Sequence, residues 1–497
     1  MTANASANRS FVILLIGWLL TAVPVAGGQE APASSADTEQ RGIRLVTPEA
    51  TPGYTLLAPL NSYVTYLIDL EGRVVRTWTS DFLSGAWVYM LDNGHVLRGG
   101  REPETHGFFG GGQGGRFQQF DLDGNLVWDF SLNTADRLPH HDVAVLPNGN
   151  IVAVVWERKS AEEARRAGRR PEFIPPDGVW GDVLIELEPQ PPHGARIVWE
   201  WHAWDHLVQD IDPSLEGYGD PADHPELIDV NGDTIGMTEP PEQPIRDIFH
   251  INSVAYSPEL DQLIISSPTF NEIWVIDHST TTEEAASGHG GRSGVGGRLL
   301  YRWGNPQVYR RGGEADRKLG FQHDARWIPE GRPGAGNITV FSNRTPSPTG
   351  SYTQVYEIAP PVDGQGRYRL PANGPFGPQD PVWTYSARDT LHATFISGAE
   401  RLSSGNTLIS SGPQGRIFEV RPDGTIVWEY WSPFCGTRSG TATARANPFS
   451  LFRATRVPPD HPGLVGRDLS PLSPQPPIDA ARDRNAGAAG GDRAACN

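Results

Sequence analysis

Leu67-Ile68-Asp69-Leu70-Glu71-Gly72-Arg73-Val74-Val75-Arg76-Thr77-Trp78 is the stretch whose reading decides the fold. An apolar run enters an acidic turn closed by glycine, and a second run ends in tryptophan. Glycine takes the left-handed backbone such turns need, so two strand-like runs flanking it signal a β-hairpin. The unit recurs in Phe120-Asp121-Leu122-Asp123-Gly124-Asn125-Leu126-Val127-Trp128 and in Val420-Arg421-Pro422-Asp423-Gly424-Thr425-Ile426-Val427-Trp428. Looser copies end at Trp199, Trp303 and Trp383. A companion hairpin alternates with this unit: Tyr89 to Leu97, Val143 to Val154, Val254 to Ile265, Trp327 to Phe341 and Ala399 to Ile409. Two hairpins make four strands, which is one propeller blade, and blades bury their faces only by stacking into a ring.

Five copies are complete, and one partial copy, Tyr54 to Trp78, lacks its first strand. Leu451-Phe452-Arg453-Ala454-Thr455-Arg456-Val457 can supply it. The expected fold is therefore all-β: a propeller of about six four-stranded blades, the ring closed by N- and C-terminal strands. A pair of stacked sandwiches is the alternative, and tryptophan repeated at one register argues against it.

The surrounding segments read differently. Arg9 precedes an apolar run from Phe11 to Leu20, with small residues at Val25-Ala26-Gly27-Gly28. That run is too short to span a bilayer, so residues 1–28 read as a signal peptide and the protein as exported, periplasmic or secreted. Residues 29–43 are expected to be a disordered lead-in, 44–460 the propeller and 461–497 a disordered tail. Two insertions interrupt the repeat: Glu157 to Pro176, expected to form a short exposed helix, and 202–246, expected to cap the site because a long loop in a compact repeat is usually functional or disordered.

Composition narrows the chemistry. The 497 residues are 38% hydrophobic and 20% charged, as in ordinary soluble proteins. A formal net charge of −18 argues against a nucleic-acid partner. No stable membrane association is expected, and the oligomeric state is open. Lys159 and Lys318 are the only lysines, which leaves little room for lysine chemistry. Cys435 and Cys496 are too few for a disulfide framework or a cysteine-rich metal site, although they could pair with each other. Asp229-Val230-Asn231-Gly232-Asp233 resembles the start of a calcium loop but lacks the downstream glutamate, so an Asx turn is expected there.

Four histidines open strand-like segments: His141, His250, His323 and His392. The first strand of each blade lines the central channel, so the four would ring one opening. His140 is a neighbour that either points away or takes the place of His141. Imidazole can act as base, acid or nucleophile near neutral pH. Converging imidazoles could also hold a metal ion, but no local motif such as His-Glu-x-x-His is present, and no metal is assigned.

Phe249-His250-Ile251-Asn252-Ser253-Val254, Gln322-His323-Asp324-Ala325-Arg326-Trp327, and His392 with Leu402-Ser403-Ser404-Gly405-Asn406-Thr407-Leu408-Ile409 resemble the bacterial arylsulfate sulfotransferase family, in a divergent branch. The resemblance runs from about Tyr54 to Pro459. It implies transfer of a sulfuryl group between phenols with no nucleotide donor and no cofactor, with small-molecule aryl sulfate and phenol as partners. By position, His323 matches the nucleophile that becomes transiently sulfonated. His250 and His141 match the partners that hold sulfonate oxygens or protonate the leaving phenolate. Asn252 would orient one of them, and His392 would be a further channel ligand. The family's arginine after the strand following His-x-Asn-Ser is Pro268 here. Arg246 and Arg326 are the nearby candidates to replace it, and strand alternation turns Arg326 away from His323. A metal-dependent propeller hydrolase or lyase, and a non-catalytic ligand-binding propeller, are the competing functions.

Overall fold

The computed structural model describes residues 41–233, 245–436 and 448–477. Six antiparallel four-stranded sheets form the blades of a β-propeller. The innermost strands are Leu451–Val457, Ser84–Met90, Arg137–Val145, Ser253–Ser257, His323–Trp327 and Gly398–Arg401, here blades 1 to 6. Blade 1 is composite, since Leu451–Val457 pairs antiparallel with Tyr54–Pro59 from the other end of the chain. The expected closure is observed.

The repeated tryptophans explain why the sheets stack in one register. Each lies on an outer strand, is largely or wholly buried in most blades, and donates its indole N–H to the next blade. Trp78 bonds the Asp121 carbonyl at 2.7 Å, Trp128 that of Gly194 at 2.7 Å and Trp303 that of Pro378 at 2.9 Å. Trp383 reaches Pro422 at 2.8 Å, and Trp428 reaches Leu70 at 2.8 Å across the closing interface. A buried indole without an acceptor is costly, so sequence and stacking register fix each other.

The inner strands are tied together at the axis. Asp142 accepts the backbone N–H of Val254 at 3.1 Å, Ser253 that of Ala325 at 3.1 Å, and Asp324 that of Ala399 at 2.9 Å. These three bonds align the preceding residues, so His141, Asn252, His323 and Ser397 share one level of the channel.

The flanking segments refine the expected boundaries. Strand Gly42–Val46 begins inside the stretch read as a lead-in and adds a fifth strand to the outer edge of blade 6. Residues 461–477 lie along the ring: Leu464 is buried, and Leu472 donates its N–H to the Val74 carbonyl at 2.8 Å. A short helix, Ala161–Arg166, sits in the first insertion, capped by Ser160 and Glu163. The described part of the second insertion is fastened to blade 4, where Arg302 donates to the carbonyls of Pro225 and Leu227. Asn231 donates its N–H to the Asp229 side chain, the expected Asx turn. Residues 234–244, 1–40 and Cys496 lie outside the described residues, so the cap, the signal peptide and the Cys435–Cys496 pair fall partly or wholly there. No helix among the described residues is long and apolar enough to cross a membrane.

Candidate active site at the channel axis

Three of the four histidines meet. The rings of His141 and His250 lie 4.5 Å apart at 72°. His141 and His323 each lie 6.2 Å from the ring of Phe452, on the closing strand. His392 does not join them: it is exposed, and its carbonyl accepts from Gln414 at 2.6 Å. The inner strand of blade 6 starts at Gly398, and His392 lies five positions before Ser397, which holds the channel position.

Each ring in the cluster is held by a partner far away in sequence or in a preceding loop. Asn343 spends its amide hydrogens on the carbonyls of Ala393 at 2.9 Å and Ile396 at 2.8 Å, so its oxygen faces His323 Nδ1 at 2.7 Å. That oxygen only accepts, so Nδ1 carries the hydrogen and Nε2 of His323 keeps its lone pair. Burial also drives His323 down to about 3, so its imidazole is neutral at any physiological pH.

His250 is different. Burial opposes its charge, but Asp247 holds Nδ1 at 2.5 Å, and the balance raises its pKa above the ordinary value. The same carboxylate accepts the His250 backbone N–H at 3.1 Å, which stabilises the left-handed backbone there (φ 50°).

His141 is backed by His140, Nδ1 to Nδ1 at 2.7 Å, and His140 Nε2 lies 3.0 Å from Asp182 Oδ1. His140 thus turns away from the channel and supports His141, one of the two options left open by sequence. Its ring stacks on Trp156 at 4.1 Å. Burial lowers His140 to about 3 and takes His141 well below the usual histidine range. Gly112 covers His141: a Cβ there would stand 2.3 Å from the ring, and φ is +75°. The run Gly110-Gly111-Gly112-Gln113-Gly114-Gly115 was the sequence signal for this close approach.

One residue further along the inner strands, the axis is crossed by charge. Arg453 pairs with Asp142 and lies 3.1 Å from Asp324, and Tyr89 donates to Asp142 at 2.7 Å. Arg326 donates to Asp324 at 3.0 Å. Strand alternation had placed Arg326 on the far face. A bulge corrects this: His323 pairs with Phe341 and Arg326 with Thr339, so Asp324 and Ala325 together oppose Val340 alone, and Asp324 sits at φ 56°. Both residues therefore face the axis. Beyond this ion cluster the channel opens into a cavity of about 690 Å³ lined by Tyr89, Tyr256, Arg326 and Trp327.

Arg246 and Asn252 take other roles. Arg246 pairs with Asp177 at 2.9 Å and lies over the Phe109 ring, without touching the histidines. Asn252 is buried and donates to the Gln322 carbonyl at 2.8 Å, bracing the backbone that enters His323. Asp182, Asp247, Asn343 and Arg453 were not singled out from sequence, because no local motif links them to the histidines they serve. Among the described residues, no group of three or more His, Cys, Asp or Glu side chains is arranged to hold a metal ion.

The family model described as Arylsulfotransferase (ASST) matches residues 54–359, more than half of the chain. The chain belongs to the arylsulfotransferase family. The match contains His141, His250 and His323 and stops before His392 and Arg453, so it is shorter than the span read from sequence. No protein of curated function matches. Among solved structures, a protein of unknown function from Bacteroides caccae is 10% identical, over 81% of this chain and 98% of its own, with a TM-score of 0.42. The periplasmic gluconolactonase PpgL of Pseudomonas aeruginosa is 12% identical, over 76% and 96%, with a TM-score of 0.37. Apo AztD from Citrobacter koseri is 12% identical, over 77% and 95%, with a TM-score of 0.35. Family membership gives a sulfotransferase-type function acting on small aryl molecules.

Proposed function

We propose that the protein is exported and moves a sulfuryl group from an aryl sulfate to a phenolic acceptor through a transient sulfo-His323. The observation that carries this is the Asn343–His323 bond, which leaves a neutral imidazole with its Nε2 lone pair free at the channel axis. Neutral imidazole attacks sulfur without first losing a proton. In the first half-reaction the Nε2–S bond forms, the S–O bond to the aryl group breaks, and the phenolate departs with its electron pair. In the second, the acceptor oxygen attacks sulfur, the N–S bond breaks, and the acceptor proton passes to a base.

The sulfonate carries negative charge that must be met. Arg453 and Arg326 are engaged by Asp142 and Asp324, and the family's arginine is replaced by Pro268, where the chain turns (Asn271 N–H to the Pro268 carbonyl, 3.2 Å). The His250 imidazolium supplies the charge instead, held protonated by Asp247. His141 is the remaining ring and the proton carrier. Phe321, 5.9 Å from the His323 ring, offers an apolar wall for the aryl group.

The test is peptide mass spectrometry after incubation with para-nitrophenyl sulfate and no acceptor. The expected result is a sulfonate on the His323 peptide that disappears when phenol is added. An unmodified His323, together with full transfer by His323→Ala, would overturn the proposal.

A further inference from the structure

We infer that Asp182, acting through His140, is a one-proton store that switches His141 between general acid and general base in the two half-reactions. The inference rests on the sulfo-His323 reading above.

The geometry is a continuous hydrogen-bonded line. Asp182 Oδ1 lies 3.0 Å from His140 Nε2, and His140 Nδ1 lies 2.7 Å from His141 Nδ1. Asp182 Oδ2 accepts the Ile251 N–H at 2.7 Å, so only Oδ1 is free to exchange a proton. All three side chains are buried, at 0%, 1% and 3% exposure for Asp182, His140 and His141. No hydroxyl intervenes, and one hydrogen lies in each gap. Two arrangements satisfy every atom. In the first, Asp182 is protonated and donates to His140 Nε2, His140 Nδ1–H donates to His141 Nδ1, and His141 presents Nε2–H to the channel. In the second, Asp182 is ionised, His140 Nε2–H donates to it, His141 Nδ1–H donates to His140, and His141 presents a lone pair.

Burial, reinforced by the nearby Asp247 carboxylate, raises Asp182 well above the carboxylate range, which favours the first arrangement at rest. The groups facing the line are Asp247 and His250 beside Asp182 and His140, Glu157 beside Asp182, and His250, His323 and Arg453 beside His141. The departing phenolate takes the His141 Nε2 proton. The His140 Nδ1 proton moves to His141, and the Asp182 proton moves to His140. The line is then in the second arrangement, and His141 Nε2 accepts the proton of the incoming phenol, which reverses each transfer. One proton enters for each that leaves, and neither histidine has to hold a charge that its burial disfavours.

Asp182→Asn separates this role from a structural one. The amide oxygen must take the Ile251 N–H, so the amide nitrogen faces His140 and no proton can be stored. Phenyl sulfate turnover and transfer to phenol are expected to fall about 100-fold. Single-turnover release of para-nitrophenolate before any acceptor is added, which needs no proton, is expected to fall less than about 3-fold. Nitrogen-15 NMR of the unaltered protein, labelled at histidine, gives an independent reading. His141 should carry its hydrogen on Nε2 at rest and on Nδ1 once His323 is sulfonated by phenyl sulfate, whose leaving group takes the proton. Equal losses on both donors, or one His141 tautomer in both states, overturn the store while leaving sulfo-His323 intact. An unaltered protein that never sulfonates His323 overturns the parent reading, and this inference with it.

Discussion

Blades 3, 4 and 5 and blades 6, 1 and 2 deliver residues to the same ring around the axis, yet only the first half brings histidines to it. His141, Asn252 and His323 share one level of the channel in blades 3 to 5. Ser397 takes that level in blade 6, and Phe452 packs against the histidines from blade 1. Rotational repetition thus supplies six places, and the sequence decides which receive an imidazole. The other half is not passive. Phe452 gives the histidines an apolar wall that helps keep two of them neutral, and Arg453 neutralises Asp142 and Asp324.

The largest effect that would sharpen this contrast is at the reactive half. His323→Ala should lower sulfuryl transfer by at least about 10³-fold, measured as steady-state turnover with phenol as acceptor, with unfolding unchanged within about 1 kcal/mol. Blades 6, 1 and 2 should answer in stability instead. Arg453→Met leaves the buried Asp142 without a cation and Asp324 with Arg326 alone, and should cost about 3–5 kcal/mol in denaturant unfolding. A change below about 1 kcal/mol would break the comparison.

Asp247→Asn tests the charge at His250. Its pKa is raised in the folded protein, so the imidazolium is fully present below the ordinary histidine value and is lost as pH rises through the raised one. Removing Asp247 should move the alkaline limb of the rate profile to lower pH and cost about tenfold at mildly alkaline pH. His140 and His323 behave in the opposite sense. Their pKa values are lowered to about 3, so unfolded chains take up protons first and stability should fall as pH drops below about 6.5.

Smaller effects discriminate the closing interface from the others. Trp428→Phe and Trp128→Phe each remove one indole hydrogen bond and should cost about 1 kcal/mol apiece. A much larger loss at Trp428 would show that closure is the weak seam of the ring. His392→Ala should change turnover less than about 2-fold, because the ring is exposed and outside the cluster.

The repeat was legible because each outer strand carries a tryptophan, in three copies a few residues after a tight turn, and both signals are local. The closing strand was legible for the same reason: a blade lacking one strand calls for a spare one. His141, His250 and His323 were legible as a set through their position before apolar strands. His392 shared that appearance, but a connecting stretch ahead of Gly398 displaces it, and no periodicity reveals such an offset. Arg326 was misplaced because alternation by two assumes a regular ladder, whereas the bulge at Asp324 adds a residue. The partners Asp182, Asn343 and Arg453 lie 42, 20 and 311 residues from the groups they hold, and only the folded ring makes them neighbours.

Arg453 lies on the last of the described strands, and that has a consequence for biogenesis. A nascent or clipped chain ending before Leu451 can lay down five sheets and all three axial imidazoles while Asp142 still lacks its guanidinium across an unsealed bore. Maturation of the proposed catalytic centre would then be coupled to ring closure, so premature chains should emerge inert instead of transferring sulfonate indiscriminately.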